Sequence, residues 1–330
     1  MFSTGDDAVV ATNDDAAICK FQAVSKGYYK DAFLEYFLTA RARSCGPRKA
    51  SEINRGYFAR TAAISYLVEQ FILANPDCQI ISLGAGYDTL FWRLKSHNFL
   101  HHHTSVQSKI KFVEIDMSVV TAHKVTAIRR HPQLAEALSS ITHKGEGIHS
   151  DQYHMISFDL RQVDKSSLKE KIFSDCKLDS STPTFCIAEC VLVYMPYQDS
   201  ASLIQWLSSS FSNLTMLNYE QCNMRDRFGD IMLSNMTARH CDLMGVEACE
   251  SLKSQSERFK SNGLVNTRQW TLSEIYYHYL NIHERHTEEI ELLDETELLR
   301  QLLDHYCIVI ASHHPIDWIH ESERWAPKTI

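Results

Sequence analysis

The sequence predicts an α/β fold built on a mostly parallel sheet with helices on both faces. Three observations predict it. Short continuous apolar runs alternate with helical stretches through the middle of the chain, the first run ends in a glycine turn, and the next three end in acids. The chain has 330 residues, 44% of them apolar, enough for a sizeable core. No internal repeat is visible.

The elements follow in order. Residues 1–18 carry four aspartates and no long apolar run, so they are neither a signal nor a transit peptide and read as a disordered tail. Ile18–Ala40 reads as an amphipathic helix burying Phe21, Val24, Phe33, Phe37 and Leu38, and Gly46-Pro47 breaks it. Ser51–Leu73 is a long helix, with Ile53, Tyr57, Phe58, Ile64, Leu67, Val68, Phe71 and Ile72 at helical spacing. Five strands are predicted at Gln79–Leu83, Ile110–Ile115, Tyr153–Phe158, Thr184–Ala188 and Leu214–Asn218, with helices near Thr89–Lys95, Ser118–Arg130, Ser167–Phe173 and Gln198–Phe211 between them. The alternation then lapses. Phe228–Met244 and Ser251–Ser261 are helical, Leu264–Thr267 is a weaker strand, helices follow near Leu272–Leu280 and Glu295–His305, and Cys307–Ala311 is a last strand.

Composition narrows the function. A net charge of -8 disfavours nucleic acid or an anionic membrane as partner. No run of about eighteen apolar residues is present to span a bilayer. The ten cysteines include no CxxC pair, and Cys78, Cys186 and Cys190 sit in or beside apolar runs. They read as reduced thiols of a cytoplasmic protein.

The strand tips carry the chemistry. After the first strand, Gly84-Ala85-Gly86 allows close backbone approach to a ligand, although a lone GxG equally fits a tight turn with none. The second strand ends in Glu114-Ile115-Asp116, and an acid there accepts hydrogen bonds from a ribose diol; Asp116, nearer the tip, is the favoured ligand. The long spacing from Gly84 is taken up by the insert Ser96–Ser108. Asp159 ends the third strand, placed to accept from an adenine amino group, and Glu189 ends the fourth. Four such tips together define a ligand site at the carboxyl edge of a parallel sheet.

Several segments resemble the leucine carboxyl methyltransferases: Asn54-Arg55-Gly56-Tyr57-Phe58-Ala59-Arg60, Leu83-Gly84-Ala85-Gly86-Tyr87-Asp88-Thr89 with Phe91-Trp92-Arg93-Leu94, Ala188-Glu189-Cys190-Val191-Leu192-Val193-Tyr194-Met195, Asn218-Tyr219-Glu220-Gln221 and Asp226-Arg227-Phe228-Gly229. The likeness runs from about Cys19 to about Ile310. It implies a class I methyltransferase sheet, Rossmann-like, of about seven strands with the last antiparallel. An N-terminal helical lid (19–74), a nucleoside-binding core (75–220), a helical insertion after strand five (221–263) and C-terminal elements (264–330) would form one domain, 19–330. It also implies S-adenosyl-L-methionine as methyl donor. The acceptor would be the C-terminal leucine carboxylate of the protein phosphatase 2A catalytic subunit, with a role in phosphatase holoenzyme assembly. Carried over by position, the donor ligands are Lys20, Arg60, Gly84, Gly86, Asp116, Asp159 with Leu160, and Glu189. Arg60 and Tyr194 are the candidate catalytic residues, no metal is expected, and a monomer is.

The residues suit those roles. Glu189 can pair with an ammonium, and Arg60 offers a planar fork for a carboxylate. Lys20 adds a second cation; whether each holds the donor's or the acceptor's carboxylate is left open. A carboxylate acceptor is already ionised at neutral pH, so no general base is required. Tyr194 or Tyr219 can orient the acceptor, or serve as a core aromatic. His101–His103 and His313-His314 read as solvated loops, and Glu288–Glu297 as an amphipathic segment with a solvated face. Three rival readings remain. One is the paralogue that modifies a guanosine in transfer RNA, which carries a C-terminal β-propeller for which this chain leaves little length. Another is a small-molecule carboxyl or hydroxyl O-methyltransferase. The third is a catalytically silent module that binds the phosphatase tail or the nucleoside without turnover, against which Arg60, Gly84, Gly86, Asp116 and Glu189 count.

Overall fold

The computed structural model describes residues 4–45, 48–100, 110–144, 147–163, 167–280, 287–320 and 324–330. Gly46-Pro47 and His101–His103, singled out above, lie outside them. Among these described residues nine strands form one sheet: β1 (Gln79–Leu83), β2 (Lys111–Asp116), β3 (Thr142–Lys144), β4 (Gly147–His149), β5 (Tyr153–Ser157), β6 (Thr184–Glu189), β7 (Leu214–Gln221), β8 (Asn266–Thr271) and β9 (Tyr306–Ser312). Their order is β3-β4-β5-β2-β1-β6-β7-β9-β8. The five predicted early strands are the parallel centre, β5-β2-β1-β6-β7. β9 runs antiparallel between β7 and β8, as expected of the last strand.

The count exceeds the expected seven because a β3–β4 hairpin extends the β5 edge. Its strands have three residues each, too short and too polar to show a period. Along the central strands side chains alternate between two cores. Ile80, Phe112, Phe185, Leu217 and Ile308 face one; Ile81, Val113, Cys186, Met216 and Val309 face the other. Both faces are therefore buried, which is why these strands read as unbroken apolar runs.

The N-terminus differs from expectation. The 1–18 tail is not disordered where it is described: a helix, α1, runs Thr4–Lys26. Asp6 and Asp7 sit in its first turn, where the helix dipole favours acids. Ala17 and Ala23 bury against the core, and Asp6 pairs with Arg161 at 2.8 Å and Asp15 with Arg239. Nor does a helix run from Ile18 to Ala40. Gly27, at φ 93°, ends α1 with its N–H on Val24 O and Tyr28 N–H on Ala23 O. A 3-10 turn (Leu34–Phe37), α2 (Ala40–Cys45) and α3 (Ser51–Ala74) follow.

After β7 come helices Arg227–Ala238 and Leu252–Lys260, so the first ends six residues short of Met244. Cys241 N–H and Arg239 N–H both close onto Met236 O there. The Glu288–Glu297 segment is not simply solvated: Glu291 accepts from Asn54 at 2.8 Å and pairs with Lys26 at 2.7 Å. Beyond β9 the chain folds back. Trp325 packs among Tyr66, Trp270 and Tyr279, while the Glu69 carboxylate accepts the Thr329 N–H and hydroxyl at 2.9 and 2.7 Å. Among the described residues no helix is long and apolar enough to cross a membrane.

Candidate active site

The predicted strand tips meet at one edge of the sheet, under α1. Two cavities lie there, of about 330 and 50 Å³, sharing Asn13 and Gly84 in their walls. The larger is lined by Asp116, Asp159, Leu160 and Tyr194 among others; the smaller by Lys20, Arg60, Gly86, Asp88 and Glu189. Each donor ligand proposed from the sequence, and Tyr194, therefore reaches one of the two; Tyr219 does not.

The turn after β1 needs its glycines. Gly84 has φ 54°, and a Cβ there would sit 2.7 Å from Val191 Cγ2. Gly86 donates its N–H to Asp116 Oδ2 at 2.7 Å, and Met117 N–H reaches Oδ1 at 2.7 Å. Burial pushes the Asp116 carboxyl up, and these two N–H groups oppose the shift. Asp116 is thus fixed at the cavity wall with lone pairs to spare. Glu114 is fully committed elsewhere, 2.6 Å from Lys124 Nζ and accepting from Tyr153 OH at 2.7 Å. Of the two acids on β2, Asp116 and not Glu114 lines the larger of these two cavities.

The smaller cavity holds a compact charge cluster. Glu189, at the tip of β6, accepts from Arg60 Nε and lies 3.0 Å from Lys20 Nζ; Lys20 also contacts Asp88 at 2.8 Å. The Lys20 and Arg60 side chains are each 11% exposed. Burial would raise the Glu189 carboxyl, yet Arg60 and Lys20 outweigh it and hold the group below its usual value. Asp88 behaves alike: burial opposes, Lys20 and Arg93 win, and its carboxyl lies well below the carboxylate range. Lys20 is in turn held above the usual lysine value, the two acids overcoming burial. The Arg60 guanidinium lies 5.3 Å from the Tyr57 ring and 4.7 Å from that of Tyr219. Two cations and two anions balance, so the cluster suits a zwitterion that exchanges partners charge for charge.

Asp159 caps the turn after β5 and is gripped by Arg161, whose Nε and Nη2 both approach at 2.9 Å. Burial raises its carboxyl, but the Arg161 bonds outweigh that and lower it. Tyr194 walls the larger cavity on a 3-10 turn, and burial pushes its phenol up. Tyr219 lines neither cavity; it stacks between Arg60 and Tyr306, whose ring is 5.5 Å away.

Sequence reasoning missed Asp88, Arg161 and Asn13. Asp88 stands in the quoted glycine motif, yet nothing in the sequence names Lys20 as its partner. Asn13 lay in the segment read as disordered; a Cβ on Gly86 would come within 2.5 Å of its Oδ1. Among the described residues one group has metal-ligand character, His149, His154 and Cys176, whose ligand atoms lie within 4.8 Å of one another. It touches neither cavity. Burial, then His149, Lys111 and Lys177, hold His154 down at about 4.

The sheet and its strand order are those of the class I methyltransferase fold. Solved structures agree on the fold: a putative methyltransferase from Thermobifida fusca (TM-score 0.50, 11% identity, 90% of this chain and 93% of that one) and a DUF574 protein from Streptomyces avermitilis (0.52, 12%, 91% and 97%). The leucine carboxyl methyltransferase family model matches residues 8–208. Leucine carboxyl methyltransferase 1 of Bos taurus is 40% identical over 94% of this chain and 91% of its own length. The Arabidopsis thaliana homolog is 35% identical over 92% and 89%. The human tRNA wybutosine-synthesizing protein 4 is 32% identical over 92% of this chain, which spans 44% of that protein. The chain belongs to the leucine carboxyl methyltransferase family.

Proposed function

We propose that this methyltransferase esterifies the C-terminal leucine carboxylate of the protein phosphatase 2A catalytic subunit, with S-adenosylmethionine as donor. The observation that carries the reading is the pairing of an acid-walled, nucleoside-sized cavity with a charge-balanced pocket one glycine turn away. The larger cavity, at about 330 Å³, falls in the range of small-ligand sites. The relatives named above supply the acceptor class.

S-adenosylmethionine supplies an electrophilic methyl group on a sulfonium. Asp116 would accept from ribose hydroxyls, Glu189 would take the ammonium, and Arg60 and Lys20 would hold a carboxylate. Because the acceptor carboxylate is ionised at neutral pH, no residue has to remove a proton. The protein's task is alignment, and holding both reactants removes up to about 7–11 kcal/mol of the entropic barrier. Tyr194, on the wall of the larger cavity, orients the acceptor through its hydroxyl. The enzyme acts as a cytoplasmic monomer, and methylation tunes phosphatase holoenzyme assembly.

Labelled methyl transfer to purified phosphatase 2A tests this, with phosphatase lacking its terminal leucine as control. Base-labile label is expected on the first and none on the second. Transfer that persists without the leucine excludes the acceptor, and transfer to transfer RNA instead would favour the wybutosine-type activity.

A further inference from the structure

We infer that the buried Glu220–Arg258 ion pair is a positioning element for methyl transfer, acting through the backbone of residues 190–195. The inference rests on reading the large cavity as the reaction chamber.

Cys190, Val191, Tyr194 and Met195 of this segment all line that cavity. Regular structure in the segment is limited to the single 3-10 turn Leu192–Tyr194. Cys190 adopts φ 56°, a left-handed conformation that costs a residue with a side chain about 1–2 kcal/mol and persists only when the surroundings enforce it. One ion pair anchors the residues that follow it. Glu220, at the end of β7, accepts the Val193 N–H at 2.7 Å on Oε1 and Arg258 Nη1 at 2.8 Å on Oε2. Arg258 Nη2 donates to Leu192 O at 3.2 Å and to Ser200 Oγ at 2.7 Å. The Glu220 and Arg258 side chains are 0% and 1% exposed. The single peptide group joining Leu192 to Val193 is thus clamped at both its donor and its acceptor by opposite ends of one pair. Cys190 N–H on Tyr219 O at 2.8 Å ties the segment to β7 as well.

The same clamp reaches the opposite wall. Arg258 lies on the helix Leu252–Lys260, which follows the residues 240–244 that complete the cavity. Gly245 N–H donates to Val193 O at 2.8 Å, and a Cβ on Gly245 would meet Leu192 O and Met195 O at 2.8 Å. The two walls therefore touch at the peptide next to the one that Glu220 holds.

A pair with no route to solvent or ligand could serve stability alone, since replacing a buried ion pair by apolar residues of similar volume is often neutral or stabilising. The alternatives separate on two variants. Glu220→Leu with Arg258→Met removes both charges and both backbone anchors. Arg258→Lys keeps an ion pair with Glu220 but gives up the second arm to Leu192 O and Ser200. S-adenosylhomocysteine affinity is measured by titration calorimetry well below the melting temperature, alongside kcat and KM for methyl transfer. The positioning role predicts that each folded variant binds roughly tenfold more weakly and that kcat falls by roughly tenfold or more. A folded variant within about twofold of the parent in affinity and kcat overturns it. Should the double variant fail to fold, Arg258→Lys decides. If the parent itself does not bind S-adenosylhomocysteine, the functional reading falls and this inference with it; normal parent binding with unchanged variants refutes the inference alone.

Discussion

Arg60→Ala removes one of the two cations proposed to hold a carboxylate, and its two effects can be sized separately. In the free protein the change strips Glu189 of one of its two cations and leaves Tyr57 and Tyr219 without the guanidinium between them. Breaking a buried pair costs about 3–5 kcal/mol when the remaining charge has no other partner. Here Lys20 stays 3.0 Å from the same carboxylate, so a loss of about 2–3 kcal/mol is expected. Against a typical stability of about 5–15 kcal/mol the variant stays folded. Ligand binding suffers differently. A charged hydrogen-bond donor to a carboxylate contributes about 1.5–3 kcal/mol, so S-adenosylhomocysteine should bind roughly 10- to 150-fold more weakly. Turnover, which needs alignment as well, should fall below detection. Arg60→Lys keeps the charge without the planar fork and should recover only part of the activity. Circular dichroism, calorimetric titration and labelled methyl transfer read the three quantities. A variant with a normal spectrum and full activity would refute the reasoning.

Three further outcomes follow from the same geometry. Asp116→Ala leaves the Gly86 and Met117 N–H groups without their acceptor, at about 1–3 kcal/mol each, and weakens donor binding; an unchanged affinity by calorimetry removes Asp116 from the site. Gly84→Ala combines a left-handed backbone with a Cβ 2.7 Å from Val191, together about 2–4 kcal/mol, so the melting temperature and donor affinity should both drop, and equal melting curves would contradict it. Glu189 and Asp88 titrate below their usual values, so the stability they contribute is present above about pH 4 and lost as pH falls through the lower, folded-state values. Thermal melting should therefore decline below about pH 4, and less steeply in Lys20→Ala; identical profiles for parent and variant would count against the cluster.

Much of this fold could be read from sequence because β1, β2, β5, β6 and β7 are buried on both faces and leave unbroken apolar runs. β3 and β4 left no such trace, each a three-residue edge segment. The helix Thr4–Lys26 was hidden for another reason. Its aspartates mimic a solvated tail, and the partners that make them useful, Arg161 and Arg239, lie over a hundred residues away. The site shows the same division. Glycine turns and acids at strand tips are local signals, so Gly84, Gly86, Asp116, Asp159 and Glu189 could be named from position. That Lys20 from α1 and Arg60 from α3 converge on one carboxylate is a fact of tertiary packing, reached beforehand only through family resemblance. Asp88 and Arg161 acquire their roles from contacts across the fold, or from a turn geometry that residue types alone do not specify.

Everything in the account requires the strand tips and the Lys20–Arg60–Glu189 cluster to hold a single ligand. A crystal structure of the chain with S-adenosylhomocysteine tests that most directly. The predicted density has its ribose on Asp116 and its amino-acid end among Lys20, Arg60 and Glu189, beneath the helix Thr4–Lys26. Density placed elsewhere, or crystals that stay empty at saturating ligand, would contradict the assignment of the site and the activity built on it.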